Sequence, residues 1–266
     1  MGYSIVVGLN KGDNEAVKAI ASVVIDNSIK VRNIAIREGK HGEFIAMPRF
    51  KSQDKEGNLK YTEVCHPITK EFREDLYGNI MKTYEEAKNS EKRMATYSSP
   101  DIKEEPKVGI TAKAVYKEGT ALKGFANVVL NDNFVINNIP IRENSKTKDL
   151  FMSMPSYKST ARNNDYMDVV YPTSKEFSAK LNEKVVGALN AALEKGDILN
   201  SVENPFENGT FDNCSIKEMA GNEQKDVQKT YSVDKNSMQK AADTKKMTEP
   251  KAPEVSGQKK DLGQDR

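Results

Sequence analysis

The alternation of apolar and polar residues in the first half of the chain predicts an antiparallel sheet. In the segment 17–26, apolar residues fall at every second position from Ala19 to Ile25, as in a strand with one buried face. Asp26 and Asn27 follow as a short polar turn of the kind that closes a hairpin. Further strands are predicted at 3–10, 29–37, 44–47 and 61–66.

The strand at 29–37 changes phase part-way along. Its apolar residues keep one phase up to Val31 and take the opposite phase from Ile34 onward. A one-residue shift turns side chains to the other face of the sheet, so a β-bulge is predicted at Arg32-Asn33. The second half of the chain slips in the same way, and a second bulge is predicted at Asn137-Asn138.

Each half of the chain then continues into an amphipathic helix, in which apolar residues recur at every fourth position. The stripe consists of Phe72, Leu76, Ile80 and Tyr84 in the first helix and of Phe177, Leu181, Val185, Leu189 and Leu193 in the second. Thr69 and Ser174 are the predicted N-caps, with Glu71 and Glu176 in the first turns. Gly196 is predicted to end the second helix.

The two halves are similar in sequence as well as in pattern. Lys18-Ala-Ile-Ala-Ser-Val-Val-Ile25 matches Lys123-Gly-Phe-Ala-Asn-Val-Val-Leu130 at an offset of 105 residues. The offset becomes 107 at Phe44 and returns to 105 at Pro67. A repeat of this length exceeds the ~20–50 residues of solenoid units, so it indicates two copies of one small domain.

The repeats define the predicted organisation of the 266 residues. Domains at 1–88 and 107–197 are joined by a linker at 89–106, which shows no apolar periodicity. The polar composition of 198–266 predicts a disordered tail, in which 204–211 is the stretch that could dock. The predicted fold class is α+β. Each domain is an antiparallel sheet of four to five strands followed by a C-terminal helix, and the two domains pair as an internal pseudo-dimer.

Composition restricts the partners and the location. The net charge is +2, so any affinity for nucleic acid must come from a local basic patch. The two cysteines do not predict a disulfide framework, and no apolar run reaches the length of a membrane span. We therefore expect a cytoplasmic protein without membrane contact.

No catalytic or metal-binding set recurs in both repeats. Cys65 and His66 are neighbours on a predicted strand, where they point to opposite faces and would not chelate one ion together. Glu71, Glu74 and Asp75 are interpreted as a solvated helix face. The chain also lacks a phosphate-binding Gly-rich loop and a nucleophile motif. These observations predict a protein that is not an enzyme and uses no cofactor or metal.

One segment of repeat 1 resembles a known family. Gly39-Lys-His-Gly42-Glu-Phe-Ile-Ala-Met-Pro48 is followed, after a turn, by Cys65-His66-Pro67-Ile68. This order is similar to that of the SpoVG (stage V sporulation protein G, septation regulator) family. Repeat 2 resembles it more weakly, through Met154-Pro155 and Pro172. The resemblance implies an antiparallel sheet with a C-terminal helix that dimerises through the sheet. It also implies nucleic-acid binding and a regulatory role in sporulation or septation.

The resemblance also implicates the basic residues that follow Met-Pro. The matching strings are Arg49-Phe50-Lys51 and Ser156-Tyr157-Lys158. A hairpin with several cations would lie near a phosphate backbone, and Phe50 and Tyr157 are expected to stack on unpaired bases for ~1–3 kcal/mol each. The predicted nucleic-acid-binding residues are Arg49, Phe50, Lys51, Lys55, Lys60, Tyr157, Lys158 and Arg162. Phosphate contacts do not read sequence, so weak, salt-sensitive binding to DNA or RNA is expected.

Several alternatives stay open at this point. Phe50 and Tyr157 could instead cover the sheet edge while the lysines solvate the loop. Each of these aromatics replaces one basic residue of the family's Lys-Arg pair, which motivates the alternative of a protein-interaction module that has lost nucleic-acid binding. The tail could recruit a partner, and the chain could form a further homo-oligomer. Four helix residues could extend the basic patch, namely Lys70, Arg73, Lys175 and Lys180.

Overall fold

The computed structural model describes residues 1–10, 16–53, 56, 58–115, 119–159, 165–199 and 210–211. Both repeats lie in one compact unit with the predicted α+β architecture, in which each repeat contributes antiparallel strands and one long helix. Two of the predicted site residues, Lys55 and Arg162, lie outside the described residues.

The described part of each repeat has the same order of elements. Repeat 1 contains β1 (Tyr3–Leu9), β2 (Val17–Ile25), β3 (Ile29–Gly39), β4 (Gly42–Ala46), β5 (Arg49–Gln53), β6 (Leu59–Glu63), β7 (Cys65–Pro67), α1 (Lys70–Asn89) and β8 (Met94–Ser98). Repeat 2 contains β9 (Val108–Val115), β10 (Leu122–Leu130), β11 (Phe134–Glu143), β12 (Leu150–Met152), β13 (Ser156–Ser159), β14 (Asp165–Asp168), β15 (Val170–Pro172), α2 (Lys175–Glu194) and β16 (Ile198–Leu199). A short strand, β17 (Thr210–Phe211), follows.

The strands form two large sheets and two separate hairpins. The first sheet has the order β15-β3-β2-β1-β8, with β4 also paired to β3. The second has the order β12-β11-β10-β9-β16, with β7 also paired to β11. The hairpins β5–β6 and β13–β14 lie outside these sheets, and β17 pairs with β5. Helix α1 packs on β1 and β8, whereas α2 packs on β9 and β12.

The predicted turn and bulges are confirmed. Asp26 and Asn27 have φ values of 42° and 53°, and a two-residue type I′ hairpin turn requires positive φ at both positions. The β2–β3 register passes from Ala21↔Ile34 to Val23↔Val31, so two residues of β3 oppose one of β2. The same shift occurs in β10–β11, at the predicted position.

The bulged strands each contain an asparagine with left-handed backbone geometry. Asn33 has φ 60° and Asn138 has φ 52°. Asparagine tolerates this conformation better than most residues because its short polar side chain can hydrogen-bond locally. In repeat 2, Asn127 Oδ1 accepts a hydrogen bond from the Asn138 amide at 2.8 Å, which ties the bulge to the neighbouring strand.

Both amphipathic helices are confirmed, with one correction at the end of the stripe. Leu193 was predicted to be buried, but it is 48% exposed, and Ala192 is buried in its place. Successive i+4 steps overshoot the 3.6-residue turn by about 40° each, so Leu193 has drifted away from the face that begins at Phe177. Ala192 is closer to that face. Repeat 1 ends its stripe in the same way, with buried Ala87.

The helix ends match the prediction in part. The Ser174 side chain accepts a hydrogen bond from the Phe177 amide at 3.1 Å, as an N-cap does. Thr69 occupies the N-cap position of α1 but makes no capping bond; its hydroxyl is 2.8 Å from Asn133 Oδ1 in repeat 2 instead. Gly196, with φ 71°, follows the last turn of α2 and ends it as predicted.

The predicted strand 61–66 is wrong as a single element, because it divides at Val64. The part before Val64 lies in β6 and pairs with β5 of its own repeat. The part after it lies in β7 and pairs with β11 of repeat 2, where Cys65 is opposite Ile136. Repeat 2 returns the exchange, since β15 pairs with β3 of repeat 1. Each repeat therefore contributes a strand to the sheet of the other.

Two predicted unstructured segments contain strands. The segment 89–106, predicted as a linker, includes β8, which pairs antiparallel with β1. The segment 198–266, predicted as a disordered tail, includes β16 and β17. All other residues of this segment lie outside the described residues. Strand β17 falls within the stretch 204–211 that was expected to dock. The exact domain boundaries stay predictions.

Candidate nucleic-acid interface

The β5–β6 hairpin sorts the predicted site residues of repeat 1 onto two faces. Residues directly opposite each other in an antiparallel pair project from the same face. Lys51 is opposite Tyr61 and Arg49 is opposite Glu63, so these four residues share one face. Phe50, opposite Thr62, projects from the other face.

Arg49 and Tyr61 are in direct contact. The guanidinium carbon of Arg49 lies 4.2 Å from the centroid of the Tyr61 ring, within the range of a cation–π interaction. Tyr61 nevertheless remains 45% exposed. The outer face of the hairpin therefore offers a solvent-accessible aromatic ring beside two cations, Arg49 and Lys51.

The β13–β14 hairpin of repeat 2 also places a cation against an exposed tyrosine. Lys158 is opposite Tyr166, and Tyr157 is opposite Met167 on the other face. The Lys158 ammonium lies 5.5 Å from the centroid of the Tyr166 ring, which is 69% exposed. Lys158 and Tyr166 correspond to Lys51 and Tyr61 in the repeat.

The prediction that Phe50 and Tyr157 stack on bases is wrong for the described conformation. Phe50 is 5% exposed and Tyr157 is 8% exposed, and both belong to the hydrophobic core. Side chains alternate between the faces of a strand, so a residue next to an outward cation points inward. The alternative in which these aromatics cover the sheet is therefore the better account of their positions.

The remaining predicted cations are not all on the same face. Lys60 is exposed, but it is opposite Ser52 and therefore lies on the face of Phe50, away from Lys51. Among the helix residues, Lys180 pairs with Glu105 at 2.6 Å and Lys70 with Glu74 at 3.8 Å. Arg73 donates a hydrogen bond to the Pro67 carbonyl at 3.0 Å. Each of these three cations therefore already has a carboxylate or carbonyl partner.

Tyr61 and Tyr166 were not among the site residues predicted from the sequence. The signal that could have found them is their position, because the 105-residue offset maps one onto the other. Pairing across a hairpin then sets each tyrosine opposite a lysine. Without the register of β5–β6 and β13–β14, the sequence does not reveal which aromatics face outward.

Acidic residues also line the outer faces. Glu63 is opposite Arg49, and Asp168 is opposite Ser156 on the face of Lys158. Burial raises the pKa of Asp168, and Arg32 acts in the opposite direction. Glu63 lies 3.2 Å from His66 Nδ1 and is among the groups that, after burial itself, raise the pKa of Tyr77 to about 12. The surface is thus a mixture of charges with local cation–aromatic pairs.

Strand β17 lies along the other edge of β5. Thr210 is opposite Lys51 and Phe211 is opposite Phe50. The main-chain edge of β5 is therefore occupied by the chain's own C-terminal segment. At these two positions of β5, contacts with a ligand would use side chains instead of the main chain.

No group of three or more potential metal ligands occurs within the described residues. Cys65 is fully buried, whereas His66 is partly exposed and lies against Glu63. Burial is the main cause that raises the pKa of the Cys65 thiol well above its usual range, so the thiol stays protonated.

Comparison with known proteins accounts for both repeats. The SpoVG family profile matches residues 4–86 and 107–191, well over half of the chain. The chain belongs to the SpoVG family. The SpoVG protein of Thermoanaerobacter sp. (strain X514) is 43% identical over 74 residues, which cover 28% of this chain and 76% of that protein. The SpoVG protein of Clostridium acetobutylicum is 42% identical over 74 residues, 28% of this chain and 74% of that protein.

These relatives are named as candidate septation proteins, and each match has about the length of one repeat. The profile matches two segments in succession, which is consistent with two tandem SpoVG copies in this chain. Within the described residues, no helix is long and apolar enough to cross a membrane.

Proposed function

We propose that this SpoVG-family chain is a non-enzymatic, cytoplasmic regulatory protein that binds nucleic acid through its two hairpins. One observation carries the proposal: both repeats place a lysine and an exposed tyrosine opposite each other on the outer face of the same hairpin. The septation names of the relatives support the regulatory part of the proposal.

The number of cations on these faces sets the strength of binding. Arg49, Lys51 and Lys158 are the described cations on the outer faces, and Glu63 and Asp168 lie among them. Neutralising about three phosphates gives a slope of about −2 to −3 in a plot of log affinity against log salt. We therefore expect modest affinity that falls as salt rises, with little dependence on base sequence.

The first prediction concerns these three cations. Fluorescence anisotropy with labelled single-stranded DNA, duplex DNA and RNA would compare the wild type with the triple variant Arg49→Gln, Lys51→Gln and Lys158→Gln. We expect the variant to lose most of the binding and most of the salt dependence, because the phosphate contacts are removed. Replacing Lys51 and Lys158 leaves the buried face of each hairpin intact.

A charge-matched control separates the site from net charge. Lys82, Lys92 and Lys184 are exposed and lie outside both hairpins, so their triple change to Gln removes the same charge. This control is expected to bind as the wild type does. Equal loss in both triple variants would contradict a site on the hairpins, since bulk charge would then explain binding.

A protein-interaction module is the second candidate, and the carboxylates on the outer faces favour it. Glu63 and Asp168 weaken the attraction of an anionic backbone but suit a protein partner of mixed charge. If the wild type binds none of the three polymers at low salt, the nucleic-acid proposal fails and this candidate replaces it.

A further inference from the structure

We infer that Tyr61 and Tyr166 are stacking platforms that make the chain select single-stranded over duplex nucleic acid. This inference rests on the proposed function and goes beyond it, because the cations alone would bind either polymer. The ligand class is nucleic acid with unpaired bases. Neither tyrosine belongs to the basic strings that follow Met-Pro in the two repeats.

The exposure of the two rings is the first observation. Tyr61 is 45% exposed and Tyr166 is 69% exposed, whereas the aromatics on the opposite faces of the same hairpins are in the core. Tyrosine has an apolar ring and a polar hydroxyl, so it can remain in water and still offer a flat surface to a ligand. Both repeats keep a tyrosine at this position although the hairpins differ in sequence.

The placement of the cations is the second observation. The Arg49 guanidinium and the Lys158 ammonium lie 4.2 Å and 5.5 Å from the ring centroids of Tyr61 and Tyr166. A nucleotide has a flat base and a negatively charged phosphate. A tyrosine beside a cation thus offers a partner for each of these two parts on one small surface.

Base accessibility then determines which polymer binds better. In a duplex the base faces are stacked on their neighbours, so an aromatic side chain reaches them only at an end or after unstacking. In a single strand each base can present a face, and stacking is tolerant of sequence because every base has one. Phosphates are present in both polymers, so the cations contribute to both affinities.

The test changes the rings and leaves the cations in place. Variants Tyr61→Ala, Tyr166→Ala and the double variant would be titrated against a labelled oligothymidylate of about 20 nucleotides, longer than a site of ~4–16 nucleotides. A duplex of the same length is the second probe. We expect each single change to weaken binding to the single strand by about fivefold or more, with duplex affinity changed by less than about twofold.

The matched control keeps the ring and removes the hydroxyl. Tyr61→Phe and Tyr166→Phe are expected to bind the single strand within about twofold of the wild type, because stacking uses the ring face. Circular dichroism and thermal unfolding would establish that all variants are folded, which we expect because both side chains are exposed.

The outcomes separate this inference from the proposed function. If the wild type binds both polymers equally well, or if the double alanine variant keeps its single-strand affinity while the cation variant loses it, the stacking inference is overturned and the proposed function stands. If the wild type binds neither polymer, both are overturned. A loss in the phenylalanine variants equal to that in the alanine variants would assign the effect to the hydroxyls and also overturn stacking.

Discussion

At the scale of single residues, Asp26 and Asn131 form a direct hydrogen bond between the repeats. They occupy equivalent positions, and each accepts a backbone hydrogen bond inside its own repeat: Asp26 from Gly2 at 3.0 Å and Asn131 from Lys107 at 2.8 Å. Between the repeats, Asn131 Nδ2 donates to Asp26 Oδ2 at 2.6 Å. A homodimer repeats one residue on both sides of its axis. The tandem chain can instead place a donor opposite an acceptor.

The second prediction is that Asn131→Asp destabilises the fold. The substitution sets two carboxylates against each other, and Asp26 is fully buried. We expect the free energy of unfolding to fall by about 2–4 kcal/mol at pH 7. Urea titrations would measure it.

A swapped pair is the control for this prediction. The double variant Asp26→Asn with Asn131→Asp restores one donor and one acceptor across the repeats. Each remaining oxygen can still accept its backbone hydrogen bonds, including the one from the Lys103 amide to Asp26 Oδ1. We expect stability to return to within about 1 kcal/mol of the wild type. A double variant as unstable as Asn131→Asp alone would contradict this account of the pair.

At the scale of elements, the division of the segment 61–66 at Val64 connects the two repeats. The Val64 amide donates to the Pro48 carbonyl at 2.9 Å, within its own repeat. The Val64 carbonyl accepts from the Asn137 amide of repeat 2 at 2.8 Å. Val64 therefore bonds to both repeats and joins the candidate binding hairpin to the exchanged strand β7.

The third prediction uses Cys65, which lies in β7, as a reporter of the exchange. In a Cys214→Ser background, Cys65 is the remaining thiol. It is fully buried, and burial raises its pKa, so both access and ionisation oppose its reaction. We expect alkylation at pH 8.5 to be about 100-fold slower in the native protein than in guanidinium, which corresponds to an opening free energy of about 2.7 kcal/mol.

The raised pKa of Cys65 also makes the free energy of unfolding depend on pH. The folded state keeps the proton while the unfolded thiol ionises near pH 8.5, so the contribution of Cys65 to stability is present below that pH and is lost above it. The Cys65→Val variant in the same background has no thiol at this position, so the difference between the two free energies of unfolding across this pH range isolates the contribution of Cys65.

In the alkylation experiment, a native rate as fast as the rate in guanidinium would mean that β7 does not stay against repeat 2.

At the scale of the whole molecule, the exchange between repeats is reciprocal. The Arg32 amide donates to the Val169 carbonyl and the Asn137 amide donates to the Val64 carbonyl, both at 2.8 Å. These two bonds map onto each other through the repeat. The hydrophobic core also contains residues from both repeats, including Ile34 and Ile139. The pairing therefore has the form of a dimer interface within one chain.

The fourth prediction is that the chain is a monomer in solution. The strand edges that exchange between repeats are satisfied within one chain, so a second chain is not needed to complete them. Analytical ultracentrifugation should give one species of 29.7 kDa. A stable species of twice that mass that dissociates on dilution would indicate that repeats pair between chains.

Features that depend on local periodicity follow from the amino-acid sequence without the structure. The alternation in β2, the phase change at Arg32-Asn33 and the spacing of the helix stripes each follow from how often a side chain returns to the buried face. The internal repeat also indicated two copies of one domain before any contact was known. Leu193 shows the limit of this approach, because an i+4 count ignores the drift of a 3.6-residue turn.

Which side of a short strand faces the core, and which strand it joins, depends on contacts that only the folded chain makes. Phe50 and Tyr61 are both aromatic residues of one hairpin, but the register of β5–β6 buries the first and exposes the second. Likewise, the pattern of residues 61–66 gives no sign that the strand divides, although Tyr61 and His66 end in different sheets. Pairing partners distant in sequence make these choices, because a short strand gains most of its stability from the neighbours it contacts.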